Sequence, residues 1–463
     1  MTASVLIRAA MPVTCQPGTR FLLSAEAWRD MAAALPAEPG LAFVALWADA
    51  TEVHALFDGG GPLLASAPVE AGLYAALSPA RPGAALFERA VADLWGHQAA
   101  NAVDVRPWLD HGAWPLLRPL SDRPAPNAAP EPEWPEMLDG PGQALPSGPL
   151  PPGVPSQAHV LLRFENDRVR RMEVRLGYAH RGVLGLMRGK SSTGAARIAA
   201  RINGAATVAH STAFARAVEA ALETPAPPRA AALRRVMLAI ERIAVRLHDV
   251  QAAAGGAWPA ASAARERLLA ACDEAFGHRL MMDVVRPGGV AGDLAGLPGL
   301  DAALDAVPAL ARGWPAVGRL SIGAALRLGP GGIAGRASGR MDPASPDAPL
   351  LTGGDLAARM ALLAEAVRLD VEVAREGLVT LPDGADSVVL PHGSMEGLGV
   401  AVGPQGRVWH WVRLGGGVVS ASFAADPAWL LLPALETAME GEAMDALPVI
   451  AASFGVRVAG MDL

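Results

Sequence analysis

The chain has 463 residues, of which 51% are hydrophobic and only 18% charged, and its net charge is −7. That length allows two or three domains, and so mild an acidity gives no reason to invoke nucleic acid as a partner. Two cysteines, Cys15 and Cys272, exclude a disulfide scaffold and fit a reducing cytoplasm. No apolar run reaches the roughly 18 residues of a membrane span.

Residues 1–120 read as a small α/β domain. The runs Leu41–Trp47 and Val53–Phe57 have strand composition, and Ala84–Trp95 carries Leu86, Val91, Leu94 and Trp95 at helical spacing. Prolines recur from Pro124 to Pro155, so residues 121–157 read as a linker through which no regular element runs. Residues 158–463 form the remaining domain. A strand is expected at His159–Phe164, with His159 structural, and helices are expected over 206–222 and 227–254. Gly403–Gly406 marks a hairpin turn between Leu398–Val402 and Arg407–Val412. A helix starts near Asp426, with Pro427 in its first turn, and Pro433 is expected to kink or restart it before Thr437. His248 and His278 fall on helical stretches and read as structural. The expected fold class is α+β: a small N-terminal α/β domain, then a mostly helical core with peripheral antiparallel strands.

The most informative segment is Arg201-Ile202-Asn203-Gly204-Ala205-Ala206-Thr207-Val208-Ala209-His210-Ser211-Thr212-Ala213. It resembles the signature of nickel–iron hydrogenase large subunits, Arg-x-Cys-Gly-x-Cys-x-x-x-His-Ser-Thr-Ala. Arg201, Gly204, His210, Ser211, Thr212 and Ala213 match, whereas Asn203 and Ala206 stand where that family has metal-binding cysteines. Near the C-terminus, Ser453 and Asp462 match the second signature, and Arg457 and Gly460 replace its cysteines. Nickel and low-spin iron take soft thiolate ligands, which these four residues do not supply. The resemblance therefore implies a hydrogenase-like chain whose metal site has been erased.

Other segments resemble the respiratory complex I branch of the same superfamily. Glu88-Arg89 and Asp93, followed by Trp114-Pro115-Leu116 and Arg118, are similar to its thirty-kilodalton-type subunit. Tyr178-Ala179-His180-Arg181-Gly182, Glu241-Arg242-Ile243, Arg286-Pro287-Gly288-Gly289-Val290 with Asp293, and Arg336 through Arg359 resemble its hydrogenase-like subunit. Two quinone-associated positions of that branch differ: Pro151 stands at the loop histidine and Gly204 near the tyrosine.

The resemblance implies the large subunit of a membrane-associated oxidoreductase complex related to hydrogenase-4 and NADH:quinone oxidoreductase, without a nickel–iron centre of its own. The alternative is a non-catalytic structural module of such a complex. The implied partners are an iron–sulfur small subunit and antiporter-like membrane subunits. No cofactor is expected on this chain, an iron–sulfur cluster is expected in a partner, and quinone or NAD(H) at the level of the complex stays open. The implied location is cytoplasmic, peripheral on the inner face of the cell membrane. Candidate site residues are His210, Arg457, Arg336 and Asp342. In the catalytic reading they face one remodelled cavity, His210 relays protons, and Arg457 fills the hole left by the metal with Asp342 or Asp462 as partner. In the structural reading His210 holds a buried hydrogen bond, and the arginines form internal ion pairs.

Overall fold

The computed structural model describes residues 1–127, 142–147, 157–177, 180–291, 297–310, 313–341 and 349–463. Pro151, Tyr178, Asp293 and Asp342, all singled out from the sequence, lie outside the described residues. The fold is α+β, with long helices and several small sheets, most of them antiparallel.

The N-terminal part is a five-stranded sheet in the order β1-β2-β5-β4-β3, made of β1 (Met11–Cys15), β2 (Gly18–Leu22), β3 (Ala42–Ala48), β4 (Glu52–Asp58) and β5 (Pro62–Pro68). Its β2–β5 pair is parallel and the other pairs are antiparallel. Helix α1 (Ala85–Trp95) lies close to it. The expected linker does contain regular structure. Gln143–Ser147 forms β6, an edge strand paired with β7 (His159–Glu165), which pairs in turn with β8 (Arg168–Arg175). An edge position tolerates proline, because half of its backbone donors need no strand partner.

The C-terminal part is built on α2 (Thr207–Ala221), α3 (Pro228–Ala253), α4 (Pro259–Phe276) and α5 (Leu356–Val379). A three-stranded antiparallel sheet, β9 (Glu396–Gly403), β10 (Gly406–Gly415) and β11 (Val418–Ala425), lies against α2. Ala209, Ala213 and Ala217, spaced four apart on α2, are fully buried. A side chain at Gly399 or Gly397 would overlap the carbonyl oxygen of Ala213 or Ala217, so only glycine lets strand and helix approach this closely.

Two short helices follow, α6 (Ala428–Met439) and α7 (Leu447–Phe454). Pro433 lies inside α6, which runs on to Met439 without restarting. His278 is not helical. It follows Gly277, the left-handed cap of α4, and its Nδ1 accepts from the Leu280 backbone N–H at 3.0 Å.

One apolar core runs from the N-terminal sheet into the C-terminal strands and helices. Trp47 on β3 stacks on Phe423 of β11 with ring centroids 5.1 Å apart, and Phe87 of α1 stacks on Trp429 of α6 at 4.5 Å. The same junction is tied by charge. Arg20 bridges to Glu396 (2.9 Å) and Glu52 (2.8 Å), and Arg413 to Glu396 (2.9 Å) and Asp49 (2.7 Å). Both cysteines are buried, and burial pushes each thiol up to about 12, as expected of small apolar core residues.

Candidate functional site

The signature segment is a turn followed by the start of α2. The Asn203 side-chain oxygen accepts from the Ala205 N–H at 3.0 Å, an Asx turn that leads into Ala206, the residue capping the helix. The first turn of α2 presents free N–H groups. Glu241 of α3 accepts two of them, from Val208 at 2.6 Å and Ala209 at 3.0 Å. Burial pushes the Glu241 carboxyl up to about 8, against the two N–H donors that favour its anion.

Behind this turn lies a closed polar knot. Asp426, at the end of β11, accepts from the Asn203 side-chain amide at 2.9 Å and from His210 Nε2 at 3.0 Å. Its other oxygen caps α6 through the Ala428 N–H at 2.8 Å. His210 Nδ1 is 3.0 Å from Nε2 of His410 on β10, within hydrogen-bond distance. His210 and Asp426 side chains are 0% and 3% exposed. Burial, and the neighbouring His210, hold His410 well below the usual histidine range, so its ring is neutral near pH 7.

The C-terminal signature closes over the same knot. Gly460 packs directly on Asp426, and a β-carbon there would land on the carboxylate. Asp462 accepts from His180 at 2.7 Å and from Arg181 Nε at 3.0 Å. Arg181 also donates to the carbonyls of Arg201 and Ile202, both at 2.9 Å, and so staples the two signatures together. Ser453 accepts from buried Arg359 at 2.8 Å. Arg201 makes a two-pronged pair with Asp283 at 2.6 and 2.7 Å. The Arg286–Val290 hairpin is held by the buried Arg234–Glu219 pair: Arg234 donates to the Gly289 carbonyl at 2.9 Å, and Glu219 accepts from the Gly288 N–H at 2.8 Å.

Of the candidates taken from the sequence, His210, Arg457 and Arg336 do not line one common cavity, and Asp342 lies outside the described residues. His210 is sealed in the knot. Arg457 pairs with Asp249 of α3, whereas Asp462 pairs with His180 and Arg181. Arg336 is buried, with Nε 3.3 Å from the Pro349 carbonyl. Arg457 instead lines a cavity of about 210 Å3 beside Gly204 and Ala205, walled by Ile240, Ala244 and Leu269, with Glu241, His248, Arg265 and Arg279 around it. Sequence reasoning missed His410, Asp426 and Asp249 as partners. The one available signal was a histidine set between Trp409 and Trp411 on a strand whose alternate positions face α2.

No family model matches the chain. Among curated proteins it is 30% identical over 181 residues to formate hydrogenlyase subunit 5 of Escherichia coli, which covers 37% of this chain and 32% of that protein. It is 27% identical to the membrane-bound hydrogenase subunit alpha of Pyrococcus furiosus, over 32% of this chain and 36% of the relative. It is 25% identical to an NADH-quinone oxidoreductase subunit of Saccharopolyspora erythraea, over 54% of this chain and 64% of the relative. The chain spans about a third of the length of the first of these relatives. In three dimensions it superposes, with a TM-score of 0.62 and 20% identity, on a chain of a membrane-bound sulfane sulfur reductase, an archaeal respiratory membrane complex, covering 71% of this chain and all of that one. In the described residues no helix is long and apolar enough to cross a membrane. In sequence the chain is similar to subunits of formate hydrogenlyase, hydrogenase-4, membrane-bound hydrogenase and NADH-quinone oxidoreductase, and it shares the fold of a chain of an archaeal respiratory membrane complex.

Proposed function

We propose that this chain is the hydrogenase-like large subunit of a membrane-associated oxidoreductase complex and holds no nickel–iron centre of its own. The observation that carries the metal-free reading is the fate of the four ligand positions. Asn203 donates to Asp426, Gly460 packs on the same carboxylate, Arg457 leaves to pair with Asp249, and Ala206 caps a helix. An amide, a methyl group, a guanidinium and a hydrogen atom make no thiolate set, and the residues present do not fit nickel or low-spin iron.

The position in a complex is supported by the relatives, which are named as subunits of formate hydrogenlyase, hydrogenase-4 and NADH-quinone oxidoreductase. On this reading the partners are an iron–sulfur small subunit and antiporter-like membrane subunits. The chain sits on the cytoplasmic face of the membrane, bound through them. Any cluster belongs to the small subunit.

His210 is fully buried and lines none of the described cavities, which favours a structural task for that residue over a proton relay; a small cavity of about 50 Å3 reaches only its partner Asp426. A wholly structural subunit is therefore the second reading. One experiment tests the primary one: the tagged chain is purified from native membranes, its partners are identified, and metals are measured. The expected result is recovery from the membrane fraction with an iron–sulfur subunit and no stoichiometric nickel. Recovery as a partner-free monomer, or about one nickel per chain, overturns it. Redox activity that survives in a His210→Ala complex separates a structural His210 from a functional one.

A further inference from the structure

The cavity beside Gly204 survives where the metal ligands do not, and its chemistry is one-sided. Its floor is apolar: Ile240, Leu269, Met281 and Ala244 are all buried. Its volume of about 210 Å3 exceeds the roughly 150 Å3 of an apolar cavity that accepts a benzene ring. Three of its lining residues are arginines, Arg265, Arg279 and Arg457, against a single carboxyl, Glu241. Arg457 is neutralised by Asp249. Among the described residues Arg265 and Arg279 share one carboxylate, Glu266, at 2.5 and 2.7 Å, which leaves one positive charge in excess at the mouth. Arg265 Nε is buried and has no hydrogen-bond partner among the described residues. The His248 ring, on the exposed side of α3, makes no hydrogen bond among them either.

We propose that this cavity binds a small organic anion with one ring, the ring lying on the Ile240–Leu269–Met281 floor and the carboxylate held by Arg265 and Arg279 at the mouth. Guanidinium groups match a carboxylate in shape and charge, and a ring-sized apolar floor selects against smaller acids. Glu241 and His248 then face the far edge of the ring and set which polar substituents it tolerates. The proposal rests on the metal-free reading in one respect, that Arg457 stands where a thiolate would.

The test uses the full-length chain and three probes in titration calorimetry at fixed salt: benzoate, its neutral isostere benzamide, and acetate. Benzoate is expected to bind at least about tenfold more tightly than either of the others. Arg279→Gln, at an exposed position, is expected to weaken benzoate about tenfold without changing the fold. Ala244→Leu, which fills the floor, is expected to abolish binding while circular dichroism stays native. Benzamide binding as tightly as benzoate overturns the anionic class, and undiminished benzoate binding in both variants overturns the location. Absence of benzoate binding overturns the proposal outright. Metal content is read separately, so a nickel-bearing chain that still binds benzoate refutes the metal-free reading and leaves this one standing.

Discussion

The Asn203 side-chain amide donates to Asp426 Oδ2 at 2.9 Å, across 223 residues of sequence. Asn203 stands at a position where relatives of this chain are expected to hold metal, and Asp426 belongs to a strand end that no signature includes. Around this bond Asn203, His210, His410 and Asp426 form one hydrogen-bonded set, in which both side chains bonded to the carboxylate donate to it. A buried carboxylate is tolerated on that condition.

On the metal-free reading, placing four cysteines at the ligand positions is expected not to create a nickel centre. In the variant Asn203→Cys, Ala206→Cys, Arg457→Cys, Gly460→Cys, the side chain at 460 collides with Asp426, and Asp249 loses its cation. Elemental analysis of this variant, expressed with nickel, is expected to give well under one nickel per chain, together with a lowered melting temperature.

The two glycines of the signatures respond differently to a single methyl group. Gly460→Ala drives a β-carbon into the Asp426 carboxylate and is expected to cost about 1–3 kcal/mol, as overpacking does. Gly204→Ala meets no atom within 4 Å and is expected to change stability by no more than about 0.5 kcal/mol. Urea unfolding of both variants checks the contrast, and equal losses would show that the knot is not closely packed.

Arg457 and Asp249 form a pair whose side chains are 12% and 6% exposed. Removing either partner leaves a largely buried charge alone and is expected to cost about 3–5 kcal/mol. Removing both, as Arg457→Met with Asp249→Leu, is expected to recover a large part of that loss. A double-mutant cycle in urea measures the coupling, and additive losses would count against the pair.

Two buried histidines contribute to the acid side of the stability curve. Burial holds His111 down to about 4, while its Nε2 lies 2.7 Å from the Leu176 carbonyl, and burial also holds His410 well below its usual range. A histidine whose folded value is depressed binds fewer protons in the folded state than in the unfolded one. Its contribution is full above about pH 6.5 and is lost as the pH falls below that value. For His111 alone the loss by pH 4 is about 3 kcal/mol. The buried carboxyl of Glu241, raised to about 8, acts in the opposite sense, so the check is the difference between two proteins: from pH 7 to pH 4 the wild type should lose about 3 kcal/mol relative to His111→Gln. An unchanged slope in that variant would place the acid sensitivity elsewhere.

The order of the elements and the identity of the relatives were legible in the sequence, because both rest on local pattern. Apolar spacing marked α1, α2 and α3, and turn residues marked the β9–β10 hairpin. The fixed spacing of Arg201, Gly204 and His210 carried the family resemblance, and the missing thiolates were visible as letters. What replaced them was not visible. The partners of Asn203 and Arg457 lie 223 and 208 residues away along the chain, and a hydrogen bond has no sequence period by which to be recognised. Only the packing of α2 against the Gly397 and Gly399 strand, close enough to bring His410 to His210, decided which polar groups meet. The packing of the C-terminal segment against α3 likewise brought Arg457 to Asp249, beside the cavity at Gly204. Local pattern thus fixes which residues are present and in what elements, whereas the choice between a sealed knot and an open cavity depends on contacts that exist only once the helices and strands are packed.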